Sequence, residues 1–211
     1  MKDWVEWHAG YDDPQSSISA RLRLVRGHLS DALDAAPPGP VRLVSLCAGQ
    51  GRDVLGVLPA HPRGPDVSAV LIEADPRIAA VAREGAARAG LAGVQVREAD
   101  AAQPAGYADA VPADVLLLCG IFGNVTDEDI QRTAQAAPAL CAPGATVIWT
   151  RHRREPDVTP RIRGWFRDSG FGEIAFDTPD TEAMIGVGVG RLAVAPAAAL
   201  PDGPLFTFRG A

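Results

Sequence analysis

From Val41 onward the chain alternates short apolar runs with stretches of helical period, and that alternation leaves few architectures open. Residues 41–47 (VRLVSLC), 67–74 (VSAVLIEA), 94–97, 114–119 (DVLLLC) and 145–150 (ATVIWT) read as strands. The run at 114–119 is apolar on both faces, as a central parallel strand is when helices cover both sides. Helices are expected over 51–58, from Pro76 to about Ala89 with Asp75 as cap, and from the cap Thr126 to about Leu140, with Asp127, Glu128 and Asp129 at its positive end. Another opens at Thr159-Pro160 and ends near Gly170. Residues 171–177 and 185–194 close the pattern as two strands, the second interrupted by Gly186, Gly188 and Gly190. This order predicts a doubly wound α/β sheet, in which ligands bind beyond the carboxyl ends of the strands.

The first forty residues follow a different rule. Trp4, Trp7, His8 and Tyr11 share one face of a helix that Asp12-Asp13-Pro14 interrupts. A second helix, capped by Ser17 or Ser19, carries Ile18, Leu22, Val25 and Leu29 on a common face. Residues 35–40 (AAPPGP) form a linker, so two units are expected: a helical lid and substrate segment over 1–40, and the α/β domain over 41–211. The aromatic face either closes over a cleft or packs on a core.

Charge and composition narrow the partners. The net charge is −6, and the longest basic run is Arg151-His152-Arg153-Arg154, which argues against broad nucleic-acid binding. No apolar run approaches the ~20 residues of a membrane span, and the acidic, polar N-terminus is unlike a signal peptide. Cys47, Cys119 and Cys141 are widely spaced and form no CxxC pair, so neither a metal site nor a disulfide framework is expected. A cytoplasmic protein acting on a small molecule, without nucleic-acid or membrane partners, is the expectation.

The first strand runs into Cys47-Ala48-Gly49-Gln50-Gly51, a turn at which backbone can approach a ligand closely. Two cofactors compete for it. A nicotinamide dinucleotide wants G-x-G-x-x-G, but Val54 occupies the third glycine position. Nor is there a Tyr-x-x-x-Lys pair, as the only lysine is Lys2. S-adenosylmethionine is the other. Glu73 ends the second strand about 20 residues beyond the glycines, where a carboxylate accepts from ribose hydroxyls. Asp100 follows the third strand and can accept from an adenine amine, and a small loop, 120–124 (GIFGN), follows the fourth.

Taken in order, these segments resemble the motifs of the class I S-adenosylmethionine-dependent methyltransferases, over about Val41 to Leu192. The closing Ser169-Gly170-Phe171 and Gly188-Val189-Gly190-Arg191-Leu192 belong to the same resemblance. It implies a seven-stranded Rossmann-like sheet whose last strand is antiparallel, and methyl transfer to an oxygen or nitrogen of a small molecule by in-line displacement. It also implies that Cys47, Ala48, Gly49 and Gly51 line the methionine and ribose portions of S-adenosylmethionine. Glu73 would hold the ribose, Asp100 and Ala101 the adenine, and the carbonyls of Cys119 and Gly120 the methionine amino group. The sequence departs from the family at Ser45, where an acid is usual, and at Cys47, where a glycine is usual. Asp53 or an N-terminal residue would have to replace the acid. Other uses of the same cofactor, such as elimination or cyclisation, and a non-catalytic subunit remain open.

On the acceptor side, Trp4, Trp7, Asn124 and Arg151 are candidate substrate contacts, and His8, His152 and Tyr11 candidate catalytic groups. His8 either acts as a base or packs beside the tryptophans. His152 either acts at the functional edge or is a solvated loop residue; the arginines that flank it would keep it neutral and favour an anionic substrate. Arg21 or Arg23 either pairs with the cofactor carboxylate or, as is commoner for helix arginines, is solvated. His28 and His61 read as solvated.

Overall fold

The computed structural model describes residues 10–178, 184–197 and 199–209. Trp4, Trp7 and His8, the core of the expected lid, lie outside the described residues. Helix α1 (Ser17–Ala35) precedes strand β1 (Val41–Leu46), the short helix α2 (Val54–Val57), β2 (Val67–Glu73) and α3 (Pro76–Arg88). There follow β3 (Val94–Glu98), β4 (Ala113–Leu118), α4 (Asp127–Leu140), β5 (Cys141–His152), α5 (Thr159–Asp168), β6 (Phe171–Asp177) and β7 (Ile185–Leu192).

The seven strands form one sheet in the order β3-β2-β1-β4-β5-β7-β6. The first five are parallel, and β7 inserts antiparallel between β5 and β6. From β1 the chain winds outward to β3 and then returns to β4 on the other side. The carboxyl ends of β1 and β4 therefore diverge, and a cleft opens between the connections that leave them.

Alternation along the strands decides which core each residue joins. Leu43 of β1 and Val115 and Leu117 of β4 face α1 and α2, whose Val25, Leu29, Leu33 and Val54 complete one core. Val44, Leu46, Leu116 and Leu118 face the other side, against Ile130 and Ala134 of α4 and Ile162 and Phe166 of α5. Helix α1 is thus a layer of the α/β domain, packed on the same sheet as the rest, while its first turns also wall the cleft.

Local chemistry sets most element ends as expected. Asp75 accepts from the Arg77 amide with Pro76 opening α3, and Thr126 accepts from the Asp129 amide at the start of α4. Three boundaries differ. Ser16, not Ser17 or Ser19, caps α1, because its hydroxyl accepts from the Ser19 amide. The 51–58 helix shrinks to Val54–Val57, since the glycine turn continues to its cap Asp53. Strand β5 begins at Cys141, directly after α4.

The glycines of β7 have a packing reason. A Cβ at Gly188 would overlap the indole of Trp149, and one at Gly186 would meet the Phe176 ring. Trp149 stacks on Phe166 with centroids 5.8 Å apart and an interplanar angle of 7°. The two histidines expected in solvent are packed instead. His28 Nε2 lies 2.6 Å from Asp177 Oδ2, tying α1 to β6, and His61 is 8% exposed with its Nδ1 accepting from the Arg63 amide.

Candidate active site

A cavity of about 1010 Å³ opens at the carboxyl ends of β1 to β5. It is near the upper end of the range usual for small-molecule sites, ~300–1,000 Å³.

The turn after β1 forms the floor. Cys47 has φ 55° and Gly49 φ 58°, so both adopt the left-handed conformation. Cys47 carries a side chain in this conformation, which costs a residue other than glycine about 1–2 kcal/mol. Its side chain packs against the core, and the following amide, Ala48 N–H, donates to Ile72 O at 2.9 Å. Cys47, Ala48 and Gly49 line the cavity. Gly51 does not. It has φ 67°, and a Cβ there would come within 2.9 Å of Leu71 Cδ1, so its role is to let the turn close against β2. Gly51, expected to line the cofactor, is thus placed behind the cavity wall rather than on it.

Glu73, at the end of β2, is held by two backbone donors. Gly49 N–H donates to Oε2 and Asp75 N–H to Oε1, each at 2.9 Å. An ionised carboxylate has about four acceptor positions, so each oxygen keeps capacity for a further donor. Asp100 accepts from the Ala102 amide through Oδ1 at 2.9 Å, which aims its carboxylate from the β3 end. Beside it, Ala101 lines the cavity and its carbonyl accepts from the buried Tyr107 hydroxyl at 3.1 Å.

At the opposite end of the floor, Asp53 is 8% exposed and lines the cavity, whereas Ser45 is buried within β1 and does not. Burial raises the Asp53 pKa, against the lowering effect of the Val54 amide, its own amide and the guanidiniums of Arg21 and Arg26. Arg21 reaches the same region from α1 and donates to the Tyr11 hydroxyl. The Tyr11 ring lies under Arg52, whose guanidinium carbon is 5.2 Å from the centroid. Burial is the largest influence on the Tyr11 phenol and raises its pKa, so it keeps its proton. Arg26 donates through Nε and Nη2 to Arg52 O at 3.0 and 2.6 Å, fastening α1 to the glycine turn. Arg23 instead turns outward to Pro14 O at 2.8 Å.

Cys119 and Gly120 follow β4 and line the cavity. Burial raises the pKa of the Cys119 thiol, which therefore stays protonated. Gly120 N–H donates to Thr150 Oγ1 at 3.0 Å, and Gly120 O accepts from Asn124 Nδ2 at 2.8 Å. Asn124 lines the cavity and braces the loop after β4.

Arg151 and His152 end β5. His152 Nε2 lies 2.8 Å from Arg151 Nη1. A guanidinium only donates, so Nε2 is the acceptor and the neutral ring carries its proton on Nδ1. In this arrangement His152 has no lone pair to offer as a base without releasing Arg151. Its pKa is lowered, first by burial and then by Arg151 and Arg154, against a raising effect of Asp157. The flanking arginines act in the expected direction, but burial acts more strongly.

One group of lining residues has no forewarning in the sequence. Residues 199–209 return across the domain and bring Phe208 and Arg209 to the cavity. Leu205 and Phe206 are buried, and Arg209 N–H donates to Asn124 O at 2.8 Å. Among the described residues, no group of three or more metal-ligating side chains occurs, and no helix is long and apolar enough to cross a membrane.

No protein-family model and no curated protein matches the chain. Solved structures do. Magnesium protoporphyrin IX methyltransferase from Synechocystis, with S-adenosylmethionine bound, aligns over 88% of each chain at 12% identity and a TM-score of 0.67. An O-methyltransferase family protein from Burkholderia thailandensis aligns over 83% of this chain at 18% identity and a TM-score of 0.60, and this chain covers 58% of it. Precorrin-6y C5,15-methyltransferase from Geobacter metallireducens aligns over 79% of this chain and 86% of its own length, at 13% identity and a TM-score of 0.58. The sheet is thus the Rossmann-like sheet that these methyltransferases share.

Proposed function

We propose that this protein is an S-adenosylmethionine-dependent methyltransferase that methylates an oxygen or nitrogen of a small molecule. The observation that carries the proposal is Glu73. Its two oxygens are aimed by the Gly49 and Asp75 amides at the end of β2, with acceptor capacity left for two ribose hydroxyls. The other residues of the cavity fit the rest of the cofactor. Asp100 suits the adenine amine and Ala101 the ring face. Asp53 and Arg21 offer opposite charges to the amino and carboxylate ends of the methionine portion, and Asp53 takes over the task for which Ser45 is unsuited. Cys119, Gly120 and Tyr11 surround that end.

When bound, the cofactor supplies a methyl group on a positively charged sulfur, and the departing sulfur is neutral. The protein therefore needs no acid. Its contribution is alignment of the acceptor with the methyl group and exclusion of water. Trp4, Trp7 and His8 remain candidates for closing the cleft and lining the acceptor site. A cytoplasmic location belongs to this proposal and rests on composition.

Calorimetric titration tests the proposal. S-adenosylmethionine and S-adenosylhomocysteine should bind and NAD should not; binding of NAD alone would overturn it. Mass analysis of cofactor turnover in the presence of acceptor mixtures then separates methyl transfer from elimination or cyclisation.

A further inference from the structure

The balance of charge in the cavity lining changes along its length. Every carboxylate that lines it (Asp53, Glu73, Asp75 and Asp100) lies at the end of β2 or after β1, β2 or β3, and together they outnumber Arg21 and Arg77, which line the same end. At the far end, beyond Gly120, the charged groups are Arg151, Arg154 and Arg209, together with His152 and the apolar Phe208 and Ile185.

Arg151 is the unusual member. It is 9% exposed, and among the described residues it makes no ion pair. Among the described residues its side chain hydrogen-bonds to His152, and its Nε is buried without a partner, as is His152 Nδ1. Asp127 and Asp157 act on Arg151 from a distance, but burial outweighs them. A buried charge without a direct partner is costly, and an anion supplied by a ligand offsets that cost. Room exists beside it, because Gly123 has no side chain: a Cβ there would lie 3.8 Å from both Arg151 Nη1 and His152 Cδ2.

Arg209 is delivered to the same place by backbone bonds of the C-terminal segment. Leu205 N–H donates to Ala102 O at 2.8 Å, Thr207 N–H to Asp129 Oδ2 at 3.3 Å, and Arg209 N–H to Asn124 O at 2.8 Å. Thr133 Oγ1 lies 2.7 Å from Asp129 O and 3.2 Å from Leu205 O, so its single proton is shared unequally between them. The segment is therefore fastened to α4 and to the loops after β3 and β4, and its backbone at 209 is held where the residue lines the cavity.

A smaller hollow of about 510 Å³ continues past the same arginines, and Asp127, Glu128 and Glu155 line it. Asp127 is already paired with Arg161 at 3.0 Å. With acids so near, the local field suits a single negative charge better than a dianion. Phe208 and Ile185 offer apolar surface for the body of the same ligand.

Resting on the proposed methyltransferase activity, we propose that the acceptor is a small carboxylic acid whose carboxylate is held by Arg151 and Arg209, so that the C-terminal segment selects the substrate. Arginine suits this task because its planar fork of donors matches a carboxylate.

The test uses the full chain, with and without saturating S-adenosylhomocysteine. Hydroxy- and amino-substituted benzoates and phenylacetates are titrated beside their primary amides, with inorganic phosphate as a third probe. Carboxylates should bind at least about tenfold more tightly than the matching amides, and Arg209→Gln and Arg151→Gln should each abolish that preference. Arg209 is exposed, so its variant stays informative even if Arg151→Gln fails to fold. The proposal is overturned if the acids show no advantage over the amides (absence of binding included), if the preference survives Arg209→Gln, or if phosphate binds more tightly than the acids. Failure of S-adenosylhomocysteine to bind would sink the methyltransferase reading instead, while the acid–amide comparison without cofactor would still report on the arginines.

Discussion

Replacing Glu73 by glutamine exchanges one carboxylate oxygen for an amide nitrogen and leaves the side-chain shape nearly unchanged. In the native protein both oxygens accept a backbone donor at 2.9 Å, from Gly49 and from Asp75. Glutamine can satisfy only one of these. In either orientation its NH2 group confronts an amide N–H, which costs the turn about 1–3 kcal/mol. If Glu73 holds the ribose as proposed, the same exchange turns one of its two acceptors into a donor and removes the charge from the other. Losing one charge-assisted hydrogen bond of about 1.5–3 kcal/mol corresponds to a roughly 10- to 150-fold weaker affinity. Calorimetric titration of wild type and Glu73→Gln with S-adenosylhomocysteine measures it. The penalty should shrink for an analogue that lacks the ribose 2′-hydroxyl, because that ligand has less to lose. A variant that folds and binds S-adenosylhomocysteine within about threefold of wild type, some 0.6 kcal/mol, would refute the assignment of Glu73 to the ribose.

Three further outcomes follow from the same structure. Because the folded pKa of Asp53 is raised by burial, its carboxyl favours folding fully below its unfolded pKa and loses that contribution as pH rises through the folded value. Asp53→Asn should therefore melt no lower than wild type at neutral pH, while binding S-adenosylmethionine about tenfold more weakly and 5′-methylthioadenosine, which lacks the amino-acid end, equally well. The folded pKa of His152 is lowered, so the stability it contributes is present above its unfolded value, about 6.5, and is lost as pH falls through the folded one. Urea unfolding across that window should show a steeper acid loss in wild type than in His152→Gln. Gly188→Ala places a methyl group on the Trp149 indole and should lower stability by about 1–3 kcal/mol, read from the urea midpoint at constant m-value.

Much of the fold can be read from short stretches of sequence because the forces that set it act over short stretches. The alternating apolar residues of β1 and β4, the Asp75-Pro76 start of α3 and the Thr126 cap of α4 are each decided within a few residues. Glu73 and Asp100 were legible for the same reason: a carboxylate at the end of a strand stays at the end of that strand wherever the sheet goes. Gly51 shows the limit. Its spacing matched a ligand-facing glycine, but whether it faces the ligand or Leu71 depends on how tightly the turn closes on a strand twenty residues away.

The residues that complete the far end of the cleft belong wholly to the tertiary structure. Arg209 reaches it through bonds from the amides of Leu205, Thr207 and Arg209, two of them to backbone carbonyls on distant loops and one to Asp129. Backbone amides and carbonyls are the same in nearly every residue, so such contacts leave little trace in the order of side chains. Burial behaves likewise. The tail 194–200 (VAPAAAL) carries no periodic signal, and nothing local marks Leu205 and Phe206 as core. His152 joins both sources: its neighbours in sequence supplied the charges, but the depth to which the fold buries it does more to keep it neutral. The sequence by itself determined the sheet, the caps of α3 and α4 and the carboxylates at the carboxyl ends of β2 and β3. Only packing decided which cations meet at the other end, because that depends on distances between segments that no local pattern encodes.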